Sequence, residues 1–548
     1  MPTNIKQGIV MIRNAMFFLG FVTLFALQVN AQKMTAGDRL KMMTAMEQIE
    51  KGNLEDAYRL YREVHRNVPD NGEVNYQCGK TAFELSKFTE AHIYLTKAVA
   101  LKPKTGKDAQ MWLGRAEHRL GMLDESATSL AAYKSKLKGK TASSHIVNEY
   151  IYQVDLAKKL LANPVKATVS NMGVAINSEY PESNPSITAD GNTFIFTTAR
   201  PENVGGKMDP AFKIYYQDIW ISSLDSATGK WTEAERLSGE LNTPDHDANL
   251  SISSDGNVIF VYRSVRGGDI YYSKKKKNGE WREPEPVGGK VNTTYFETGA
   301  CMTSDKKHLY FISERPGKGK GNGDIWVAKK TGSFEYGEPT NISEVNTIDD
   351  ESSVFLHPNG KTMYFSSNSK ESMGGYDIFK SDWVDGKWTK PINLGYPINT
   401  LGEEKQFTIS ADGLTGYITT QRDDSHGGYD IYEVDLSEYE IPNLEQYQYA
   451  SKSISVGNAV AILKGRVIDK RDGEALEVMV RIENENGKVI EELQTNENGE
   501  YFVTLPGGAK YRIVIKAKDY KPIEEVIQIP QLSGKAEVIN RSFLLEDD

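Results

Sequence analysis

The stretch NTIDDESSVFLHPNGKTMYFSSNSKESMGGYDIF, residues 346–379, decides the fold of the middle of this chain. It opens on Asn-Thr, runs through a strand-like segment to the turn Asn359-Gly360, and continues into the apolar segment Met363-Tyr364-Phe365. A glycine-containing loop then leads to Asp377-Ile378-Phe379. Asparagine and glycine tolerate positive φ, so a tight turn between two short apolar runs predicts a β-hairpin.

The same unit occurs five times between about residues 165 and 440. Each copy begins at an Asn-Thr or Asn-Ser pair, at Asn177, Asn242, Asn292, Asn346 and Asn399. The tight turns are Asp190-Gly191, Asp255-Gly256, Asp305-Lys306, Asn359-Gly360 and Asp412-Gly413. An Asp-Ile-aromatic strand follows at Asp218, Asp269, Asp324, Asp377 and Asp430, with spacings of 51, 55, 53 and 53. A fourth strand is expected at Trp231, Trp281, Phe334 and Trp388.

A four-stranded unit repeated about every 50 residues predicts a β-propeller. The fifth copy lacks its fourth strand, and residues 167–173 (ATVSNMG) ahead of the first copy resemble residues 390–395 (KPINLG). We therefore expect the early strand to complete the last blade, which removes both open edges. The count predicts five blades, and six blades is the alternative.

The repeat resembles the WD40-like repeats of the periplasmic Tol-system propeller and its relatives, through the Asp-Gly turns and the Asp-Ile-aromatic strands. The recurring aspartates fit structural contacts better than catalysis, because they appear once in every unit. Acidic residues near the first strands, at Glu297, Glu351, Glu403 and Glu404, read as departures from the repeat. They predict an acidic mouth of the central channel that could hold a ligand or cation.

Helical repeats precede the propeller, at about residues 35–162. The segment starting at Leu54 matches the segment starting at Phe88 after 34 residues, and the one starting at Leu123 follows after 35. Gly79 and Gly114 are 35 residues apart, and prolines such as Pro69 follow the second helix of a pair. The pattern resembles the tetratricopeptide repeat, with three repeats at about 38–71, 72–106 and 107–140. A further helix at about 144–162 would cap the stack.

Tetratricopeptide arrays bind peptides or proteins, and this resemblance implies a binding groove. The family's groove positions correspond here to Tyr76, Lys80, Glu84, Arg115 and Arg119. The alternative for each residue taken alone is an ordinary solvated helix face.

A small β-sandwich is predicted at about residues 460–548, after a linker at 441–459. Alternating strands at 478–483, 489–494, 501–505 and 511–517 are separated by Asn-Gly and Gly-Gly turns, which predicts an antiparallel sandwich. Gly465-x-Val467-x-Asp469, Asn498-Gly499-x-Tyr501-Phe502 and Tyr511 with Asp519-Tyr520 resemble the carboxypeptidase regulatory-like domain. That resemblance implies a non-catalytic docking or spacing module.

The N-terminal residues 1–32 predict a cleaved signal peptide. Lys6 and Arg13 precede an apolar stretch of 15 residues, and Val29-Asn30-Ala31 provides a small-residue cleavage site. Fifteen residues are short for a bilayer span, although an uncleaved anchor is the alternative. No cysteine follows the cleavage site, so a lipid anchor is not expected. The exported chain is expected to have no membrane span.

Composition excludes several classes of protein. The 548 residues carry a net charge of −10, and no basic stripe supports nucleic-acid binding. The basic run 274–277 reads as a solvated hairpin end. Cys78 and Cys301 are expected to be buried free thiols. The eight histidines are scattered, so neither a metal site nor a cofactor is expected.

The order of the modules resembles periplasmic accessory proteins of Bacteroidota envelopes, notably the type IX secretion component that links an outer-membrane machine to the cell wall. The resemblance implies a non-enzymatic scaffold, periplasmic and associated with the outer membrane, with envelope proteins such as secretion components as partners. The chain ends at Asp548, about where that family's peptidoglycan-binding domain starts, so contact with peptidoglycan is expected only indirectly.

Two other functions stay open from the sequence. One is a propeller that binds or hydrolyses envelope glycan, based on the acidic residues near the channel. The other is a soluble chaperone for secreted clients. A saturable glycan signal lost on changing Glu351 or Glu403 would distinguish the first from the scaffold, and transient client capture would distinguish the second.

Overall fold

A computed structural model describes residues 33–104, 106–139, 141–210, 213–264, 268–317, 319–447 and 459–548. The predicted signal peptide and most of the predicted linker, 448–458, lie outside the described residues. The chain divides into two compact units, of which the first ends at Ala109 and the second comprises Gln110–Asp548. This division differs from the boundary near residue 162 that the change from helical to β pattern predicts.

The first unit is built from paired helices. They are α1 (Ala36–Glu50), α2 (Leu54–Asn67), α3 (Gly72–Glu84) and α4 (Phe88–Leu101). Thr35 starts α1 with a capping box to Asp38. A Cβ atom added at Gly79 would lie 2.6 Å from Leu95 Cγ, so this glycine allows α3 and α4 to pack closely. The predicted role of the small residue is confirmed.

The remaining described α-helices lie in the second unit, apart from Ala109 at the start of α5. They are α5 (Ala109–Arg119), α6 (Leu123–Lys134) and α7 (Ala142–Ala162). Gly114 repeats the role of Gly79, because an added Cβ would lie 2.8 Å from Leu130 Cγ. Thr141 caps the N-terminus of α7.

The middle region is made of short strands that follow α7. They are β1 (Thr168–Asn171), β2 (Glu182–Ile187), β3 (Thr193–Thr198), β4 (Asp218–Asp225), β5 (Lys230–Trp231), β6 (Glu235–Arg236), β7 (Asp247–Ile252), β8 (Val258–Arg263), β9 (Asp269–Lys274), β10 (Glu285–Pro286), β11 (Gly288–Gly289), β12 (Glu297–Met302), β13 (His308–Ser313), β14 (Asp324–Lys329), β15 (Glu335–Tyr336), β16 (Thr340–Asn341), β17 (Glu351–Leu356), β18 (Thr362–Ser367), β19 (Asp377–Val384), β20 (Lys387–Trp388), β21 (Ile392–Asn393), β22 (Glu404–Ile409), β23 (Thr415–Thr420) and β24 (Asp430–Asp435).

Within the described part of this region, the strands form five antiparallel sheets. Their orders are β2-β3-β4-β5 with β6 on β4, β7-β8-β9-β10, β12-β13-β14-β16, β17-β18-β19-β20 with β21 on β19, and β22-β23-β24-β1. β11 and β15 form a separate parallel pair. Each sheet therefore comes from one copy of the sequence repeat, except that the last sheet borrows β1.

The sheets join into a closed series. The first strands β2, β7, β12, β17 and β22 contact one another in that order, and β22 contacts β2. β1 pairs antiparallel with β24, with Thr168 opposite Asp435 and Asn171 opposite Tyr432. The predicted completion of the last sheet by the early strand is confirmed.

The asparagine that opens each copy of the repeat forms hydrogen bonds with the preceding sheet in the series. Its side-chain oxygen accepts a hydrogen bond from the isoleucine N–H of the Asp-Ile-aromatic strand, and its amide donates to the carbonyl of the same isoleucine. The pairs are Asn242 with Ile219, Asn292 with Ile270, Asn346 with Ile325, Asn399 with Ile378, and Asn177 with Ile431, with N–H···O distances of 2.8–3.0 Å. Asn177 thereby links residues that lie 254 positions apart and closes the series.

The C-terminal region forms two four-stranded sheets within residues 459–548. Its strands are β25 (Ala461–Asp469), β26 (Met479–Asn484), β27 (Val489–Gln494), β28 (Glu500–Leu505), β29 (Lys510–Lys516), β30 (Ile523–Gln528), β31 (Glu537–Asn540) and β32 (Phe543–Leu545). One sheet contains β27-β26-β29-β30, and the other contains β28-β25-β31 with β32 on β25.

The expectation of a purely antiparallel sandwich is wrong. β25 pairs in parallel with both β31 and β32, because the chain returns beside β25 after the segment that follows β30. A buried core that includes Leu463, Val480, Tyr501 and Ile513 lies between the sheets.

Candidate functional site

A buried carboxylate opens the first strand of every sheet in the series. The five residues are Glu182, Asp247, Glu297, Glu351 and Glu404, and none is more than 1% exposed. Each accepts hydrogen bonds from the backbone N–H and the side-chain hydroxyl of the residue four positions earlier, which is Ser178, Thr243, Thr293, Thr347 or Thr400. Glu297, Glu351 and Glu404 therefore belong to the repeat instead of departing from it. A Ser/Thr-x-x-x-Glu/Asp spacing was the sequence signal for this set.

Arginine neutralises several of these carboxylates. Arg200 pairs with Glu182 at 3.1 Å, Arg263 with Asp247 at 3.2 Å and Arg315 with Glu297 at 3.3 Å. The equivalent arginine is Arg422 for Glu404, whereas Glu351 has Ser369 at that position. Burial raises the pKa of Glu351 to about 8. Hydrogen bonds from Ser367 and Thr347 only partly offset that rise.

This difference predicts a specific pH dependence. The pKa of Glu351 is higher in the folded protein than in the unfolded chain, so folding is favoured most when this carboxyl is protonated. The free energy of unfolding that Glu351 contributes is therefore lost as pH rises from about 5 to 8, by up to roughly 1.4 kcal/mol per pH unit. We expect Glu351→Gln to flatten this part of the stability profile and to make the protein more stable than the wild type above pH 8. Thermal unfolding followed by tryptophan fluorescence would measure it.

Glu297→Gln is the matched control for this experiment. It removes a carboxylate that Arg315 neutralises, leaving the guanidinium without its partner, so we expect a loss of stability at every pH. If the stability of the wild type and that of Glu351→Gln changed with pH in parallel, the raised pKa of Glu351 would be contradicted.

The axis of the series leaves little room for a ligand. The cavity between the first strands has a volume of about 40 Å³ and is lined by Pro185, Leu250, Ala300, Val354 and Phe407, among others. A volume of this size is close to the share of one water molecule, whereas small-molecule sites usually measure about 300–1,000 Å³. Whether the predicted channel mouth binds a ligand stays a prediction, and all four of its glutamates already have protein partners.

Glu403 lies in a different environment from its neighbour Glu404. It pairs with Arg119 of α5 at 3.4 Å and with Lys405 at 3.1 Å, and it accepts a hydrogen bond from the Tyr429 hydroxyl at 2.9 Å. Burial acts to raise the pKa of Glu403, but Lys405 and Arg119 outweigh burial and lower it. Glu403, a predicted channel residue, and Arg119, a predicted groove residue, thus meet in one contact.

Helices α5 and α7 are fixed to the loops of the β region by side-chain hydrogen bonds. The contacts are His118 Nε2 to the Met373 carbonyl at 2.9 Å, Gln153 Nε2 to the Ser369 carbonyl at 3.1 Å and Tyr152 hydroxyl to Glu371 at 2.8 Å. Burial lowers the pKa of His118 to about 4, so the imidazole is neutral and its Nε2–H donates to the carbonyl. The contact is therefore insensitive to pH near neutrality.

An apolar contact accompanies these hydrogen bonds. Leu156 and Leu160 of α7 pack with Met373, Ile392 and Leu444, and all five side chains are buried. The predicted capping helix therefore covers the β region as well as α6. This packing of α7 on the β region explains why α5, α6 and α7 belong to the second unit.

The other predicted groove residues are placed as follows. Tyr76 is buried on α3, and Lys80 and Glu84 form an ion pair at 3.9 Å on the same helix. Arg115 of α5 lies over the rings of Trp112 and Tyr150, at 4.5 and 4.7 Å from the ring centroids. Binding of a partner by these residues stays a prediction.

Ion pairs join the C-terminal sandwich to the opposite ends of the sheets. Lys464 pairs with Asp190 at 2.6 Å, Lys307 with Glu491 at 2.6 Å and Arg282 with Glu497 at 3.1 Å. Ile462 and Val460 pack with Ala189 and Ala411 beside them. These contacts leave an open cleft of about 980 Å³ between the sandwich and the turns of the first three sheets.

In the described part of the chain, no group of three or more histidine, cysteine or carboxylate side chains is arranged to hold a metal ion. Among the same residues, no helix combines the length and apolar character needed to span a bilayer. Cys78 and Cys301 are both buried free thiols, as expected.

Comparisons with known proteins give weak structural likenesses. No protein-family profile matches the chain, and no curated protein matches it. The first TPR domain of Spaghetti, bound to an HSP90 peptide, is similar over 23% of this chain and 94% of its own, at 18% identity and a TM-score of 0.20. TolB from Acinetobacter baumannii is similar over 56% of this chain and 73% of its own, at 16% identity and a TM-score of 0.28. A glycoside hydrolase covers 51% of this chain and 95% of its own, at 9% identity and a TM-score of 0.35. Likenesses of this strength do not assign a function.

Proposed function

We propose that this protein is a non-enzymatic scaffold of the bacterial envelope, which holds protein partners of an outer-membrane-associated assembly in a fixed arrangement. The observation that carries the proposal is the attachment of α5–α7 and the C-terminal sandwich to the sheet series within one compact unit. Buried apolar packing holds the helices, and ion pairs with a small apolar contact hold the sandwich. A body of this kind presents surfaces at constant separation.

In this proposal the modules are a tetratricopeptide-like array, a five-bladed WD40-like propeller and a carboxypeptidase regulatory-like sandwich. The blade count is supported by the closed order of first strands and by the pairing of β1 with β24. The helices supply the partner-binding face, and the sandwich sets spacing or docks to the assembly. The protein acts in the periplasm, after removal of its signal peptide, in a type IX-like secretion system or in envelope organisation.

Exposed apolar side chains support a protein partner for the propeller. Tyr295 and Phe296 precede β12 and are 45% and 46% exposed, and Ile348 precedes β17 and is 65% exposed. β12 and β17 contact each other, so these residues lie on loops of neighbouring sheets. Exposed aromatic residues are enriched in interfaces between proteins.

The glycan-directed alternative has less support. The axial cavity of about 40 Å³ is too small for a sugar ring, and the carboxylates at the predicted channel mouth accept several internal hydrogen bonds. A saturable glycan signal that Glu351→Gln or Glu403→Gln abolishes would revive this alternative.

In-cell crosslinking and affinity capture of the full-length protein test the scaffold directly. We expect a short, reproducible set of envelope proteins, and we expect Lys80→Ala to reduce capture of at least one of them severalfold. Lys51→Ala is the matched control, because Lys80 and Lys51 each form an i,i+4 ion pair with a glutamate. Such pairs contribute only about 0.3–0.5 kcal/mol, so neither change should unfold the helix. An empty set, with the protein free in the periplasmic fraction, would contradict the proposal.

A further inference from the structure

The cleft between the sandwich and the sheets contains acidic and basic side chains, and most of the acids are already neutralised. Asp190 pairs with Lys464, Asp255 with Lys306 and Glu491 with Lys307, each at 2.6 Å. Glu492 pairs with Arg481 at 2.8 Å. Of the other carboxylates that line the cleft, Asp305 lies 3.7 Å from Lys307, whereas Glu235 and Glu500 form no ion pair in the described part of the chain.

Two lysines that line the cleft have a different environment. In the described part of the chain, no carboxylate lies within 4.0 Å of Lys275 or Lys330. Lys330 Nζ lies over the Phe334 ring, 5.0 Å from its centroid, and Lys275 Nζ lies 6.0 Å from the centroid of Trp281. Lys274 Nζ lies 4.9 Å from the centroid of the same Phe334 ring, so two ammonium groups lie near one aromatic ring.

Lys330 lies close to other positively charged side chains. Lys330 is partly buried, and burial lowers its pKa, which the nearby charges of Lys306 and Lys274 lower further. A cation–π contact is a weak interaction and removes no charge. These neighbouring positive charges favour an anion that binds beside Lys330.

We propose that the cleft binds an anionic ligand through Lys275 and Lys330, which come from neighbouring sheets and face the same space. The ligand class is a small molecule or oligomer that carries phosphate or carboxylate groups. A volume of about 980 Å³ accommodates a ligand with several such groups, and the cleft lies between two domains, where ligand sites are common. This site is independent of the proposed scaffold role.

The structure also divides the basic run 274–277 into parts with different roles. Lys275 lines the cleft, whereas Lys276 pairs with Glu280 at 3.9 Å and Lys277 is exposed and does not line the cleft. Lys277 therefore provides a control with the same charge, two residues from Lys275. If anions were attracted to the basic hairpin in general, substitution of either lysine would weaken binding to the same extent.

Calorimetric titration of the full-length protein tests the site, with inorganic pyrophosphate as the phosphate probe and trigalacturonate as the carboxylate probe. We expect saturable binding of at least one probe, weakened at least about tenfold by Lys275→Gln and by Lys330→Gln. Lys277→Gln should change the affinity less than about twofold. The probe that binds more tightly identifies the anionic group. Failure of both probes to bind at millimolar concentration, or equal weakening by Lys277→Gln, would overturn the proposal.

A second measurement uses the wild-type chain, so it does not depend on the folding of a variant. Reductive ¹³C-dimethylation keeps the lysine charge and gives each site an NMR signal, with Lys330→Gln used only to assign it. We expect the bound probe to raise the pKa of Lys330, because an adjacent anion favours the charged form. An unchanged titration of Lys330 under saturating probe would also overturn the proposal.

Discussion

Replacing Asn177 by alanine should lower the free energy of unfolding of the second unit by about 2–5 kcal/mol. The side chain is 1% exposed, accepts a hydrogen bond from Ile431 N at 2.9 Å, and donates to the Ile431 carbonyl at 2.8 Å. Alanine would leave both backbone groups buried without these partners. The loss falls at the point where the last sheet meets the first, so it weakens closure of the whole series.

Urea unfolding followed by tryptophan fluorescence measures this effect. All seven tryptophans lie at or after Trp112, so the signal reports the second unit alone. Asn278→Ala is the control, because Asn278 is an exposed turn residue whose side chain bonds only within its own hairpin. We expect a change below about 0.5 kcal/mol there. Equal, small effects of the two substitutions would show that closure does not depend on Asn177.

Replacing Leu160 by aspartate should separate α7 from the β region. Leu160 is fully buried beside Met373 and Ile392, and truncation of such a leucine alone costs about 2–5 kcal/mol. A carboxylate in the same place adds the cost of burying a charge without a partner. We expect rapid proteolytic cleavage in the segment between α7 and β1, and we expect the wild type to resist it.

Ile146→Asp serves as the control on the same helix. Ile146 is 41% exposed, so a charge there should leave the cleavage rate and the stability nearly unchanged. If Leu160→Asp behaved like Ile146→Asp, the helix contact would not be a fixed part of the unit.

Structural features that recur along the chain could be predicted from the sequence. The spacing of the Asp-Ile-aromatic strands predicts the sheets, and the likeness of residues 167–173 to 390–395 predicts the pairing of β1 with β24. The recurring asparagines mark the start of each unit. Their partners were not evident, because each one bonds to the neighbouring sheet and not to its own.

Contacts that occur once could not be predicted in this way. Arg119 and Glu403 are 284 positions apart, and nothing in either local pattern points to the other. The packing of Leu160 on Met373 is equally unmarked, since an apolar helix face looks the same whether it covers another helix or a sheet. The parallel pairing of β31 and β32 with β25 depends on the path of the chain after β30, where no turn motif specifies a direction.

The carboxylates show how a repeat can be overlooked. Aspartate at position 247 and glutamate at 182, 297, 351 and 404 hold equivalent places, but the change of residue type hides the equivalence. The equivalence becomes evident only from the hydrogen bonds that each carboxylate accepts from the residue four positions earlier. Their internal bonding is part of the reason that we favour a scaffold over an enzyme.

Site-specific photo-crosslinking in living cells tests the scaffold claim most directly. A photoreactive residue would replace Lys80 in the first unit, Tyr295 in the second, or Lys51 as the control. We expect Lys80 and Tyr295 each to yield a discrete crosslinked envelope protein, and we expect the two proteins to differ. Crosslinking from neither position, or the same diffuse products from all three, would contradict the scaffold claim.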